Sequence, residues 1–346
     1  MIERPTTAGR VGREMQRLLS WFIKWWKWLI PLSVLSLLTA AVRFAWLYPD
    51  SENYLLLVRF FRGEIPLSAT VAPFSYRPLL PLIAALLPLS PEITFASLNA
   101  LFIVMLSWVL FQICLDFGFS GSASFGASVL CSVSFVVAYY GTAVLVDAGA
   151  MLCLSIGLLR ARRTKPDLEV CLALTLGMLF KEFAAVGVVA CLLLKKRMPF
   201  TYVVPAAAYI VVRLVMSPGS QGYLWFFELD NMTVFLVPTL KTLFLTLGPA
   251  VALILLAVYD RRANQERFRA SFSWMVRVGV PALGILGIGL FMAHFDARFV
   301  WPLYPAFAPA LAYAISVLTR FLQRLPGLAG VAHVPHETNH TEARLQ

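Results

Sequence analysis

The chain has 346 residues, of which 60% are hydrophobic and 14% are charged, and its formal net charge is +11. Soluble domains carry about 25% charged residues, so this composition excludes an ordinary soluble domain and favours a membrane protein. The positive charge does not indicate nucleic-acid binding, because the basic residues form short clusters between apolar runs, as they do where they orient membrane helices.

Residues 1–28 are predicted to form a basic, amphipathic segment on the cytoplasmic side. Arginine and lysine side chains precede the first apolar run, and Trp21, Trp25, Trp26 and Trp28 alternate with the last of them. Tryptophan prefers the depth of the lipid headgroups. The segment therefore predicts an interface helix that leads into an uncleaved first span, since the basic region of a cleaved signal peptide is usually shorter.

Apolar runs follow along the chain, and a helix needs roughly 20 apolar residues to cross the hydrocarbon core. We predict spans at 29–47, 94–115, 122–140, 145–160, 199–216, 239–259, 274–293 and 299–319. Two further apolar stretches are ambiguous. Residues 78–90 are too short and too rich in proline for an ordinary span, and residues 168–195 are interrupted by Lys181 and Glu182.

The distribution of basic residues resolves both ambiguities. If 78–90 is a surface or re-entrant helix and 168–195 is a hairpin of two short helices, every basic cluster lies on the cytoplasmic side. A single crossing at 168–195 would instead place the clusters at 160–165 and 195–197 on opposite sides of the membrane.

The predicted fold is therefore an all-α, polytopic membrane helix bundle of about ten membrane segments. The transmembrane domain covers residues 29–320 and contains juxtamembrane helices in its first outer loop, 48–93. Residues 321–346 are predicted to be a flexible cytoplasmic tail.

Ionisable residues also remain at the outer ends of several predicted spans. A charge at mid-membrane costs about 2.5–3.5 kcal/mol on insertion scales, so such residues usually face a cavity or each other. We therefore expect a polar cavity that opens outward. Its predicted lining includes Asp147, Glu182, His294 and Asp296.

The ionisable residues at the outer face also have purely structural interpretations. Asp50 could serve merely as the cap of the helix in the first outer loop, and Asp147 merely as the cap of its own span. Lys181 and Glu182 could pair with each other at the water interface, which stabilises little. Residues 294–298 could form an ordinary polar turn.

Several short segments occur in an order that carries a family resemblance. They are the acidic pair Asp50 and Glu52 with the helix after it, YRPLLPLIAALLPL (76–89), Asp147 at the start of a span, GMLFKE (177–182) and ARFVWPLYPAFAPAL (297–311). This series resembles the GT-C superfamily of polytopic membrane glycosyltransferases. The last segment is similar to the R-x-x-x-P-x-Y-P element of several branches.

The resemblance implies transfer of a hexose or pentose from a polyprenyl-phosphate-linked donor to a glycan, lipid or protein acceptor. The transfer would occur at the outer or lumenal face. The resemblance implies that Asp50 is the general base and that Glu52 assists it. It also implies that Arg298, Lys181 and Arg77 hold the donor phosphate, in line with the affinity of such cations for phosphate.

Two further expectations concern metal and location. Some branches of the superfamily use a divalent metal ion, for which Asp50, Glu52 and Asp147 could supply oxygen ligands. The expected location is a bacterial inner (plasma) membrane with both termini in the cytoplasm.

Two other functions stay open from the sequence. A transporter or lipid flippase predicts charges at mid-membrane and discontinuous helices. A non-catalytic membrane scaffold or assembly subunit has no need for acids and bases clustered on one face.

Overall fold

The computed structural model describes residues 7–163, 168–194, 200–218, 220–221, 236–259, 265–292 and 297–323. These residues are mostly helical, as the predicted all-α class requires. The helices are α1 (Thr7–Ala41), α2 (Ser51–Phe61), α3 (Leu79–Leu86), α4 (Pro91–Asp116), α5 (Gly121–Ser132), α6 (Phe135–Tyr140), α7 (Asp147–Arg163), α8 (Leu168–Phe180), α9 (Ala185–Leu193), α10 (Phe200–Val215), α11 (Leu236–Tyr259), α12 (Gln265–Met292) and α13 (Tyr304–Gln323). Two short strands, β1 (Val71–Ala72) and β2 (Ser220–Gln221), pair in parallel.

The basic N-terminal segment and the first predicted span form one continuous helix, α1, of 35 residues. This helix ends at Ala41, before the predicted limit at residue 47, because the chain turns there. Ala45 adopts a positive φ of 54°. The Arg43 guanidinium holds the turn between two rings, 4.3 Å from the centroid of Trp46 and 3.4 Å from that of Tyr139.

The two ambiguous apolar stretches form short helices. Helix α3 has eight residues, which is about 12 Å and too short to cross a bilayer. Helices α8 and α9 run antiparallel. Gly177 at the end of α8 packs against Ala184 just before α9, whereas Leu174, one turn earlier, packs against Gly187, which lies later in the chain. Val170 and Cys191 belong to one buried cluster, which matches the predicted hairpin.

The predicted span 122–140 is interrupted, which the sequence analysis did not anticipate. Helix α5 ends at Ser132 and α6 begins at Phe135. The physical reason is Ser134, whose hydroxyl accepts a hydrogen bond from the backbone N–H of Val137 and so caps a new helix.

The two ends of the bundle carry different groups of charges. At one end, Arg163 donates to the Asp116 carboxylate over 2.8 Å, and Arg162 donates to the Asp116 carbonyl over 3.1 Å. The Arg267 side chain lies beside Gly118 at the same end. Basic residues that the sequence assigned to the cytoplasm thus meet in space.

Two of the described helices are long and apolar enough to cross a membrane by length and composition. They are Pro91–Asp116 and the helical segment Arg298–Gln323. Leu168–Phe180, Glu182–Leu193 and Tyr202–Val215 are shorter apolar helices. The total number of crossings stays a prediction.

Candidate active site

Charged side chains from distant parts of the chain meet at the end of the bundle opposite Asp116. They are Asp50 before α2, Arg77 in the first outer loop, Asp147 at the start of α7, Lys181 and Glu182 at the turn of the hairpin, and Arg298 in the 3-10 helix before α13. These side chains are named the ion cluster below. Acids and bases are equal in number, so the cluster is formally neutral.

Four members of the ion cluster form a continuous chain of ion pairs. Arg298 Nη2 lies 3.0 Å from Asp50 Oδ2, and Arg298 Nη1 lies 3.9 Å from Asp147 Oδ2. Lys181 Nζ lies 2.5 Å from Asp147 Oδ1. All four residues are buried. Their charges are therefore only weakly screened by water, and each depends on its partner for compensation.

Arg77 and Glu182 extend the ion cluster towards α2. The Arg77 guanidinium donates two hydrogen bonds to the Glu182 carboxylate from one edge, Nη2 to Oε1 and Nε to Oε2, the latter over 2.9 Å. Its Nη1 donates to the Tyr54 hydroxyl over 2.9 Å. Burial raises the pKa of the Tyr54 phenol well above its usual range, so the phenol stays neutral and serves as a fixed acceptor for Arg77.

Aromatic rings cover one side of Arg298. Its guanidinium lies 4.7 Å from the ring centroid of Tyr48 and 5.4 Å from that of Tyr140. The two rings pack edge to face, 5.5 Å apart. Cation–π attraction stabilises an arginine in such a position, more so where water is excluded. Arg298 is thus oriented by rings as well as by carboxylates.

The loop that precedes Asp147 is held by hydrogen bonds from three other elements. Val144 N donates to Trp46 O over 3.1 Å, and Ser51 Oγ donates to Val144 O over 3.1 Å. Asn99 Nδ2 donates to the carbonyls of Ala143 and Leu145, over 3.0 and 2.9 Å. Asn99 is 1% exposed. These bonds fix the position from which Asp147 enters the ion cluster.

Asn99→Leu is expected to destabilise the protein, because the carbonyls of Ala143 and Leu145 would lose their buried donor. Each unsatisfied buried group costs about 1–3 kcal/mol. Thermal unfolding in detergent would measure the loss. Ser107→Ala is the matched control in the same helix, since Ser107 is buried but donates only to Val104 within α4. An equal loss in both variants would contradict the proposed role of Asn99.

The purely structural interpretations of four cluster residues are wrong. Asp50 makes no side-chain capping bond at the start of α2. Asp147 directs its carboxylate to Lys181 and Arg298. Lys181 and Glu182 do not pair with each other, because the extended backbone at Lys181 (φ −165°, ψ 143°) turns the two side chains towards different partners.

The structure separates Glu52 from Asp50. Glu52 is exposed on α2, whereas Asp50 and Ser51 are buried. Because a helix rotates by about 100° per residue, side chains two positions apart point to different sides. Asp50 and Glu52 therefore do not face the same site. His294 and Asp296 lie outside the described residues.

The ion cluster does not fit a divalent metal. Among the described residues, no three His, Cys, Asp or Glu side chains are grouped as a metal site. The predicted ligands Asp50 and Asp147 hold Arg298 and Lys181 instead, and Glu52 is exposed. The carboxylates of Asp50 and Asp147 would have to break these ion pairs before they could bind a metal ion.

The cations predicted to bind a phosphate all hold carboxylates in this structure. Arg298 pairs with Asp50, Lys181 with Asp147, and Arg77 with Glu182. An incoming phosphate would therefore exchange with a carboxylate.

Sequence reasoning missed the residues that position the ion cluster. The pattern of the sequence did not single out Tyr54, which accepts a hydrogen bond from Arg77, or Ser51, which donates to the Val144 carbonyl. Asn99 carried a usable signal, because it is an amide within an apolar span, and polar residues there usually face the interior of a bundle. Tyr48 and Tyr140 carried none, because their contact depends on how distant loops meet.

Comparison with known proteins adds no relative. No protein-family profile, no curated protein and no solved structure matches the chain.

Proposed function

We propose that the chain is a multi-pass membrane protein whose ion cluster faces the outer side. The surface of several helices supports embedding in lipid, since Leu86, Leu214 and Phe244 are 77%, 75% and 73% exposed. Monomeric soluble proteins rarely expose extended apolar surface of this kind. The basic groups gathered around Asp116 support a cytoplasmic position for the opposite end.

Within this arrangement, the proposed activity is that of a glycosyltransferase that takes a sugar from a polyprenyl-phosphate donor. The observation that carries the proposal is the convergence of Asp50, Asp147, Lys181 and Arg298. An inverting sugar transfer needs a carboxylate that accepts a proton and cations that stabilise a leaving phosphate. The ion cluster contains both kinds of group at contact distance.

The Asp50–Arg298 ion pair links donor binding to the base. A donor phosphate that binds Arg298 competes with the Asp50 carboxylate for the same guanidinium, because both ligands are anionic acceptors. Exchange releases Asp50 beside the bound donor. The general base thus becomes available only when a donor occupies the cluster.

The proposed reaction then follows. An acceptor hydroxyl oxygen attacks the anomeric carbon of the donor sugar, and a new carbon–oxygen bond forms. The bond from the anomeric carbon to the phosphate oxygen breaks, and its electron pair stays on the phosphate, where Arg298 and Lys181 stabilise the charge. The hydroxyl proton moves to Asp50, so the products are the glycosylated acceptor and polyprenyl phosphate.

The test is release of polyprenyl phosphate from labelled sugar donors by the purified protein in proteoliposomes with candidate acceptors. Arg298→Gln should lower turnover by about 10²–10³-fold, the loss expected when one group that stabilises a leaving charge is removed. Arg213→Gln is the control, because Arg213 is an exposed cation that packs on Tyr76 and Tyr209. Equal activity of the two variants would refute the assignment of Arg298.

A transporter is the second candidate, and the interruption of the predicted span at Ser134 favours it. Discontinuous helices line substrate sites in many transporters. The ion cluster lies at helix ends rather than at mid-helix, which favours the transferase. Movement of an intact lipid-linked sugar across proteoliposomes, without release of polyprenyl phosphate, would support the transporter.

A further inference from the structure

Three arginine side chains border the turn between α4 and α5, at the end of the bundle opposite the ion cluster. Arg162 and Arg163, at the end of α7, donate to the backbone carbonyl and to the carboxylate of Asp116. Arg267, from the start of α12, places its Nε and Nη2 atoms 3.8 Å from where a Cβ on Gly118 would lie. Arg162, Arg163 and Arg267 are named the arginine patch below.

The carboxylate of Asp116 is already occupied within the arginine patch. Its Oδ1 accepts hydrogen bonds from Arg163 Nη2 over 2.8 Å and from Gln112 Nε2 over 2.7 Å, and its Oδ2 accepts from Arg163 Nε. Arg162 donates only to the backbone carbonyl, over 3.1 Å. Among the described residues, Arg162 forms no ion pair with a carboxylate. The two arginines of α7 thus share one acid, which leaves the charge of Arg162 for an anionic ligand.

Aromatic rings hold the Arg162 guanidinium in place. It lies 3.6 Å from the ring centroid of Phe117 and 6.0 Å from that of Trp274, and the two rings pack edge to face. Cation–π attraction of this kind orients the plane of the guanidinium. An oriented guanidinium is suited to bind a phosphate through paired hydrogen bonds. Arg162 is half-buried, which the orientation of membrane helices by basic residues does not require.

Stabilisation of helix ends accounts for Arg162 and Arg163 but not for Arg267. Cations are favourable near the C-terminus of a helix, where the two arginines of α7 lie, and unfavourable near the N-terminus. Arg267 is an exposed side chain and the third residue of α12. An anion bound between Arg162 and Arg267 would compensate for this unfavourable position.

Tryptophan side chains of α1 mark the depth of the arginine patch in the membrane. A Cβ on Gly121, three residues after Gly118, would lie 2.6 Å from Trp28 Nε1 and 2.9 Å from Trp25 Cζ3. Both indoles therefore pack against the turn that the arginine patch borders. Tryptophan prefers the depth of the lipid headgroups, so in the proposed membrane arrangement the patch lies level with the phosphates of the cytoplasmic leaflet.

We propose that the arginine patch binds the phosphate group of an anionic phospholipid from the cytoplasmic leaflet. Basic pockets between membrane helices on the cytoplasmic side are suited to such headgroups. Arg162 binds the phosphate with the donors that do not face Asp116, and Arg267 contacts it from α12. The inference requires the proposed membrane arrangement, but it does not require the glycosyltransferase activity at the opposite end of the bundle.

The experiment measures binding of dioleoyl phosphatidylglycerol to the purified full-length protein by native mass spectrometry. Arg162→Gln and Arg267→Gln should each weaken binding by about tenfold or more, as expected when a hydrogen bond to a charged group is lost. Arg160→Gln is the matched control, because it removes the same charge from the same helix end, where Arg160 Nε lies 3.0 Å from Glu169 Oε2. Its affinity should stay within a factor of about two.

Asp116→Asn should have the opposite effect and strengthen binding of phosphatidylglycerol. The substitution removes the carboxylate that competes with the phosphate for Arg163. A gain of affinity cannot arise from loss of folding, so this variant keeps the test decisive if an arginine variant is unstable. Weaker binding in Asp116→Asn, with the fold retained by circular dichroism, would overturn the inference.

The remaining outcomes separate a specific lipid site from its alternatives. Equal losses in Arg160→Gln and Arg162→Gln would show general attraction to a positive surface and overturn the inference. Equal binding of dioleoyl phosphatidylcholine, whose headgroup is neutral overall, would overturn it as well. Displacement of the lipid by inorganic phosphate would identify free phosphate as the ligand and overturn the assignment to a lipid. Sugar transfer is measured separately, so failure of lipid binding leaves the proposed transferase standing.

Discussion

Asp50→Asn is expected to lower the proposed sugar transfer by about 10²–10⁴-fold, the usual contribution of a general base, which is the role proposed for Asp50. Asparagine keeps the shape of the side chain but cannot accept the acceptor proton. Arg298 also loses the carboxylate that lies 3.0 Å from its Nη2, so donor binding should be retained or strengthened. The predicted signature is a collapse of kcat without a rise in the KM for the donor.

Glu52→Gln is the matched control for Asp50→Asn. Glu52 lies two residues away and is exposed, outside the ion cluster. Its replacement should leave kcat within a factor of about two, as expected for a surface change. If Glu52→Gln abolished transfer and Asp50→Asn did not, the roles assigned to the two carboxylates would be reversed.

Lys181→Met is expected to lower the free energy of unfolding by about 3–5 kcal/mol, because it leaves the Asp147 carboxylate buried without its closest cation. Asp147 is 2% exposed, and among the described residues its nearest remaining cation would be Arg298, with Nη1 at 3.9 Å. Denaturation of the detergent-solubilised protein, followed by tryptophan fluorescence, would measure the loss.

The double variant Lys181→Met/Asp147→Asn tests whether the loss comes from the uncompensated charge. Removing both charges of a buried pair is far less costly than removing one, so most of the lost stability should return. A double variant whose loss equals the sum of the two single losses would show that the residues do not interact. Arg59→Met, which breaks the exposed pair with Glu64, should cost less than about 1 kcal/mol.

Helix placement was largely predictable from the sequence, because hydrophobic run length and basic clusters are local properties. The predicted spans near 94–115, 145–160 and 299–319 correspond to α4, α7 and α13. The interruption of the span at 122–140 was not predicted, since Ser134 caps a helix only after its neighbours leave room for the turn. The early end of α1 likewise depends on Arg43 meeting Tyr139.

The sequence by itself determined that the chain is apolar and helical and that its basic residues form clusters between apolar runs. It also identified Asp50, Asp147, Lys181, Glu182 and Arg298 as candidate site residues. Composition and periodicity carry this information because burial and helix formation act residue by residue. Only the tertiary structure decided which charges are partners. Partnership depends on distances between side chains far apart in sequence, such as Asp50 and Arg298, which no local pattern encodes.

The same reason explains why the set of site residues in the structure differs from the predicted set. Glu52 left the predicted site because helix α2 turns it towards solvent, and Asn99 and Tyr54 entered it because they hold the loop and the arginine behind the cluster. An apolar cavity beside Ser134 exists only where α5, α6, α11 and α13 meet. A local pattern can name a charged residue, but the packing of helices sets whether its charge meets a carboxylate, a ring or water.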